Sequence, residues 1–156
     1  RMQGFIRAFR EYDTPFFSEM IITYTTEEKE VTLLEKLKDV LISEQKRPTG
    51  IVCYNDEIAL KVLNLLRELE IKVPDDISIV GYDDSYLTEA SEIKITSVTH
   101  PKMEMGIEAA KWIVAAVENS EKDTGEKRQK VYEPELVIRN STSAVSKMHN
   151  SNKHLI

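Results

Sequence analysis

One stretch constrains the chain more than any other. Residues Pro48 to Ser85, PTGIVCYNDEIALKVLNLLRELEIKVPDDISIVGYDDS, parse as strand, loop, helix, loop, strand, loop. Ile51, Val52 and Cys53 form a short apolar run cut off by Tyr54-Asn55-Asp56. From Ile58 the apolar residues change to helical spacing at Val62, Leu65, Leu66 and Leu69. Val73-Pro74-Asp75-Asp76 ends that helix, because proline lacks a donor and disfavours helix in the residue before it. Ile77 to Tyr82 is a second apolar run, closed by Asp83-Asp84. Strand, helix and strand within about 35 residues predict a βαβ unit with parallel strands. Both strands then deliver amide- and carboxylate-bearing loops at their carboxyl ends, the edge of an open α/β sheet where ligands bind.

The rest of the chain supplies further layers of the same kind. Met2, Phe5, Ile6 and Phe9 predict an amphipathic first helix, with Gly4 inside it suggesting a close packing contact. Met20 to Tyr24 reads as a strand, and Thr26 as the cap of a helix whose apolar face is Val31, Leu34, Leu37 and Leu41. Ile93 to Val98 predicts another short strand, closed by His100-Pro101. A long helix from Lys102 to Glu118 carries Met105, Ala109, Ile113, Val114 and Val117 on one face. Val131 to Ile138, interrupted by Pro134, suits an edge or crossing strand. The polar stretch from Ser141 onward is expected to be largely disordered. The organisation is thus one α/β domain over residues 1–143 and a polar tail over 144–156.

Charge and cysteine usage narrow the function. A net charge of −6 argues against direct contact with nucleic acid. The single cysteine, Cys53, excludes an internal disulfide and argues against a thiolate zinc site. With no membrane-length apolar run and no charged-then-apolar leader, a cytoplasmic location is expected.

The candidate chemistry sits in the two polar loops. Asn55-Asp56 before a helix is first of all a capping pair, and Asp83-Asp84 after a strand a turn sequence. Aimed into one cleft, however, an amide and a carboxylate suit a hydroxyl-rich ligand: the carboxylate accepts from adjacent hydroxyls, the amide donates and accepts, and an arginine fork donates back. Asp56, Asp83 and Asp84 could alternatively hold Mg²⁺ for phosphoryl transfer. Phosphate-binding glycine loops and a nucleophile elbow are both lacking, so the enzymatic reading is the weaker. His100, alone before a proline, suits a structural role better than a catalytic one.

Five motifs stand in a recognisable order: Arg1-Met2-Gln3-Gly4-Phe5, PTGIVCYNDEIAL, VPDDISIVGYDDS, ITSVTHPKMEMGIEAAKWI and EPELVIRNST. In order and spacing they resemble the lactose-repressor/galactose-repressor family, over nearly all of Arg1 to Ser143. The resemblance is strongest to the branch with a winged-helix head of the GntR type, which makes L-arabinose the favoured sugar. It implies a periplasmic-binding-protein-like fold of type I, an open parallel sheet flanked by helices, with this chain forming most of the C-terminal subdomain. It also implies a non-enzymatic, cofactor-free effector domain that binds sugar in a cleft, probes operator DNA only through an upstream head, and forms a homodimer.

By the same resemblance, Arg1, Asn55 and Asp83 match the family's ligand contacts. His100 falls where many relatives carry glutamine, a departure that makes its contact pH-sensitive. Asp56 and Asp84 are implied to cap or brace, and Tyr54, Tyr82 and Tyr86 are candidates to stack on a sugar face. The helix from Lys102 to Glu118 is implied to belong to the upstream subdomain, leaving its apolar face, Trp112 or its neighbours included, to find another cover or self-associate. The rivals are a transport-type sugar-binding protein and the metal-dependent phosphotransferase.

Overall fold

The computed structural model describes residues 1–23, 30–43, 47–118 and 129–144, with only the backbone at 30 and 31. The predicted βαβ unit is present: β1 (Gly50–Val52), α3 (Asp56–Glu68) and β2 (Ser78–Tyr82), after α1 (Met2–Glu11) and α2 (Glu30–Ile42). Downstream lie α4 (Leu87–Ala90), β3 (Thr96–Thr99), α5 (Lys102–Glu118) and β4 (Glu135–Val137). The strands form one sheet in the order β1-β2-β3-β4. The first three are parallel, with Val52 opposite Val80 and Tyr82 opposite Val98. Strand β4 runs antiparallel at the edge beside β3, the place Pro134 predicted.

Strand alternation sorts the sheet into two unlike faces. Ile51, Ile79, Gly81 and Ser97 share one face by register. Against it lies the core: Leu33, Leu37 and Leu41 of α2, and Ile58, Ala59, Val62, Leu65 and Leu66 of α3. The four-residue steps in α2 and the three- and four-residue steps in α3 turn single stripes inward, which is what makes these helices amphipathic. The opposite face is open: Val52 and Leu136 are more than half exposed. Helix α5 projects without a buried residue, and Ile113, Val114 and Val117 remain exposed while Trp112 is half-covered.

Four expectations need correction. Residues 20–23 are not a strand. Ser18–Met20 is a 3₁₀ turn, Ile21 is extended, and Ile22 packs on the core without a ladder partner among the described residues. Gly4 has nothing within 4 Å of where a Cβ would stand, so no close contact explains it. Strand β3 begins at Thr96 rather than Ile93, because Ile95 is drawn into the core and its amide bonds the Thr88 carbonyl. Ser141 is wholly buried: its hydroxyl donates to the Ile79 carbonyl at 2.6 Å and accepts from Thr96 N at 2.8 Å. The segment after β4 is therefore stitched across β2 and β3 rather than loose. The expected cap at Thr26 and the tail from 145 onward lie outside the described residues.

Cys53 closes β1 inside the core. Burial, with a smaller push from the Asp56 carboxylate, raises its thiol to about 12. The thiol is the unreactive form at neutral pH. Iodoacetamide at pH 8 is expected to leave Cys53 unmodified in the native protein and to label it fully in denaturant; rapid native labelling would contradict this packing.

Candidate functional site

The carboxyl ends of the three parallel strands bring Tyr54-Asn55, Asp83-Asp84 and His100 to one edge of the sheet. The centre of this edge is a buried carboxylate. Asp56, in the first turn of α3, is 1% exposed. Its Oδ2 accepts from the Ser85 amide at 2.6 Å and its Oδ1 from the Ser97 hydroxyl at 2.6 Å. Ser97 Oγ in turn accepts from the Asp84 amide at 3.2 Å. One carboxylate thus holds both sides of the turn that follows β2. Its room comes from Gly81: a Cβ there would stand 2.3 Å from Asp56 Oδ1.

That turn is strained. Asp83 has φ 95° and Asp84 φ 44°, a left-handed pair that costs on the order of 1–3 kcal/mol per residue unless its surroundings enforce it. Besides Asp56, the enforcing contacts come from Arg139, whose guanidinium lies 2.8 Å from Asp84 Oδ1 and donates to the Ile95 carbonyl at 3.0 Å. Asp84 is therefore turned away from the open edge, toward Arg139.

Asp83 points outward and gathers cations. Arg1 pairs with its carboxylate at 3.0 Å and donates to the Tyr54 carbonyl at 2.9 Å. The guanidinium lies over the Tyr54 ring at 4.4 Å and over the Tyr82 ring at 4.1 Å, geometry suited to cation–π attraction. His100 Nε2 stands 3.8 Å from the same Asp83 oxygen, and its ring lies 4.8 Å from that of Tyr82. Lys102 donates to the Asp83 backbone carbonyl. The Arg1–Asp83 pair is about one-third exposed on both sides, so it contributes at most about 1 kcal/mol and a ligand can exchange into it at small cost. The assembly offers a carboxylate acceptor and an arginine fork braced by two aromatic rings, side by side at the open edge of the sheet.

The structure therefore gathers Arg1, Tyr54, Tyr82, Asp83 and His100. Asn55 adjoins them, with its Oδ1 committed to capping α3 through Ile58 N at 2.9 Å. Tyr86 stands apart, 81% exposed at the start of α4. Tyr54 and Tyr82 each turn a ring face to Arg1 instead of leaving it open for a sugar. Sequence reasoning missed Ser97, Lys102 and Arg139. EPELVIRNST placed Arg139 in a motif, but nothing local indicated a partner 55 residues away. The three carboxylates proposed for Mg²⁺ diverge: Asp56 inward, Asp84 to Arg139 and Asp83 to Arg1. Among the described residues no group of three His, Cys, Asp or Glu could hold a metal ion.

These features define a periplasmic-binding-protein-like module with a polar site at the strand ends, and comparison with known proteins agrees. Residues 1–142 match the family described as periplasmic binding protein-like domain, and the chain belongs to that family. It is 50% identical over 145 residues to the arabinose metabolism transcriptional repressor of Halalkalibacterium halodurans, covering 92% of this chain and 39% of that protein. The arabinose metabolism transcriptional repressor of Geobacillus stearothermophilus is 42% identical, over 93% of this chain and 40% of its own length. A LacI family transcriptional regulator from Enterococcus faecium, solved with bound ribose, superposes with a TM-score of 0.75 at 27% identity, over 93% of this chain and 51% of that one. The chain thus spans about two-fifths of the length of the arabinose repressors it matches. Its fold class and resemblance are those expected from the motifs, and the relatives are regulators rather than enzymes.

Replacing Gly81 with alanine tests the buried clamp. The clashing atom belongs to a side chain, but moving it breaks the Ser85 and Ser97 bonds at once. Gly81→Ala is expected to cost about 1–3 kcal/mol in urea denaturation, the usual penalty for forcing extra volume into a packed site. Wild-type stability would mean that Asp56 relocates freely.

Proposed function

We propose that this chain is the sugar-sensing part of a cytoplasmic transcriptional repressor, and that its effector is L-arabinose. Arg1, Asn55 and Asp83 form the hydrogen-bonding wall of the site, with His100 at its rim and Tyr54 and Tyr82 bracing Arg1. The observation that carries this reading is the Arg1–Asp83 pair at the strand ends, its guanidinium lying over two tyrosine rings. A carboxylate beside a guanidinium offers acceptors and donors side by side, which is what vicinal hydroxyls require. The identity of the sugar rests on the likeness to the two arabinose repressors.

In the full-length protein, sugar favours one arrangement of the cleft over another, and that difference shifts a homodimer away from operator DNA held by a separate head. A coupling of about 1–3 kcal/mol is the usual size of such an effect. The transport-type rival shares the fold, but the relatives' names favour a regulator. The phosphotransferase rival fails on geometry, since its three carboxylates do not converge.

Calorimetric titration of the full-length protein with L-arabinose, D-xylose, D-ribose and D-galactose tests the reading. L-Arabinose is expected to bind tightest, and Asp83→Ala to weaken it at least about tenfold, the scale of one lost charged hydrogen bond. Equal affinity in wild type and variant would remove Asp83 from the site, and silence toward every sugar would refute a sugar effector.

A further inference from the structure

Arg139 lies outside the hydrogen-bonding wall, yet it is the cation that pairs with the residue next to the wall's carboxylate. Its side chain is 12% exposed, and that of Asp84, its partner, 19%. Both terminal nitrogens of its guanidinium and its backbone amide are committed. The guanidinium serves Asp84, the Ile95 carbonyl and, at 3.4 Å, Glu89, while its backbone amide donates to Thr96 Oγ1 at 2.9 Å. It thereby ties the segment after β4 to β3, α4 and the turn following β2.

Asp83 and Asp84 are consecutive left-handed residues, so the peptide between them is held in a conformation that L-residues rarely adopt. Arg139, with Thr88 Oγ1 at 3.3 Å, anchors the Asp84 side chain inward, adding to the bonds of the Asp83 amide to Val98 and of the Asp84 amide to Ser97. Asp83 is left facing Arg1 and His100. Release of Asp84 would remove the side-chain part of the turn's anchorage, leaving the backbone bonds to Val98, Ser97 and Asp56, and would loosen the aim of the Asp83 carboxylate at the Arg1 fork.

We infer that Arg139 is a positioning residue for ligand binding, acting through Asp84 to hold the Asp83 carboxylate in its binding orientation. The inference rests on the reading of Asp83 as a sugar acceptor. Arg139 is the residue to replace when affinity is to be changed without touching the ligand.

The test is a double-mutant cycle in the full-length protein, with L-arabinose affinity read by calorimetry and folding by thermal melting. Arg139→Lys keeps the charge but loses the planar fork, and Asp84→Asn cuts the same pair from the other side while preserving shape. Each is expected to weaken binding roughly tenfold in the wild-type background and less than about twofold in an Asp83→Asn background, the non-additivity of residues acting through one another. Glu89→Gln, at the exposed end of the network, is expected to leave affinity unchanged. If Arg139→Lys fails to fold, Asp84→Asn decides alone. Equal losses with and without the Asp83 carboxylate would reduce Arg139 to a stabilising residue and overturn the inference. Asp83→Asn binding as wild type would instead overturn the sugar-acceptor reading beneath it.

Discussion

Asp56 is the interaction on which the rest of the site depends. A carboxylate removed from water is costly unless its oxygens are satisfied. Here both oxygens are, by a serine hydroxyl from β3 and a backbone amide beyond β2. The residue itself belongs to the first turn of α3, where a negative charge also suits the helix dipole. Helix, central strand and neighbouring strand are thus pinned together at one point, directly beneath the residues that face solvent. Gly81 leaves the room in which the Asp56 carboxylate sits.

Around this pin the site is built in two shells of opposite character. The inner one is Asp56, Ser97, Asp84 and Arg139, whose bonds are largely shielded and spent on one another. The outer one is Asp83, Arg1, His100 and Lys102, whose contacts are partly exposed and exchangeable. A binding site benefits from this division, because rigid support lowers the ordering cost of binding while weak outer pairs yield to the ligand. On the other side of the sheet and along α5, apolar surface remains uncovered. In the proposed reading the remaining length of the full protein meets those surfaces.

Most of the layered architecture was legible in the chain because it depends on periodicity. The steps of α3 and the proline-bounded run of β2 can each be read within one window of sequence. The site was legible only in part. Asn55 and Asp83 are marked by their place at strand ends, but Ser97 looks like any serine in a strand until its partner 41 residues away is known. The tail misled for the same reason: Ser141 is polar and near the end, yet two strand backbone groups bury it. Residues 20–23 show the converse failure, since an apolar run cannot reveal whether a ladder partner is at hand.

The most direct measurement is a crystal structure of the full-length protein with L-arabinose. The account predicts sugar hydroxyls within hydrogen-bond distance of both the Arg1 guanidinium and the Asp83 carboxylate, with Asp84 still paired to Arg139. A sugar seated elsewhere, such as the apolar groove along α5 lined by Ile107, Ala110 and Val114, would contradict it.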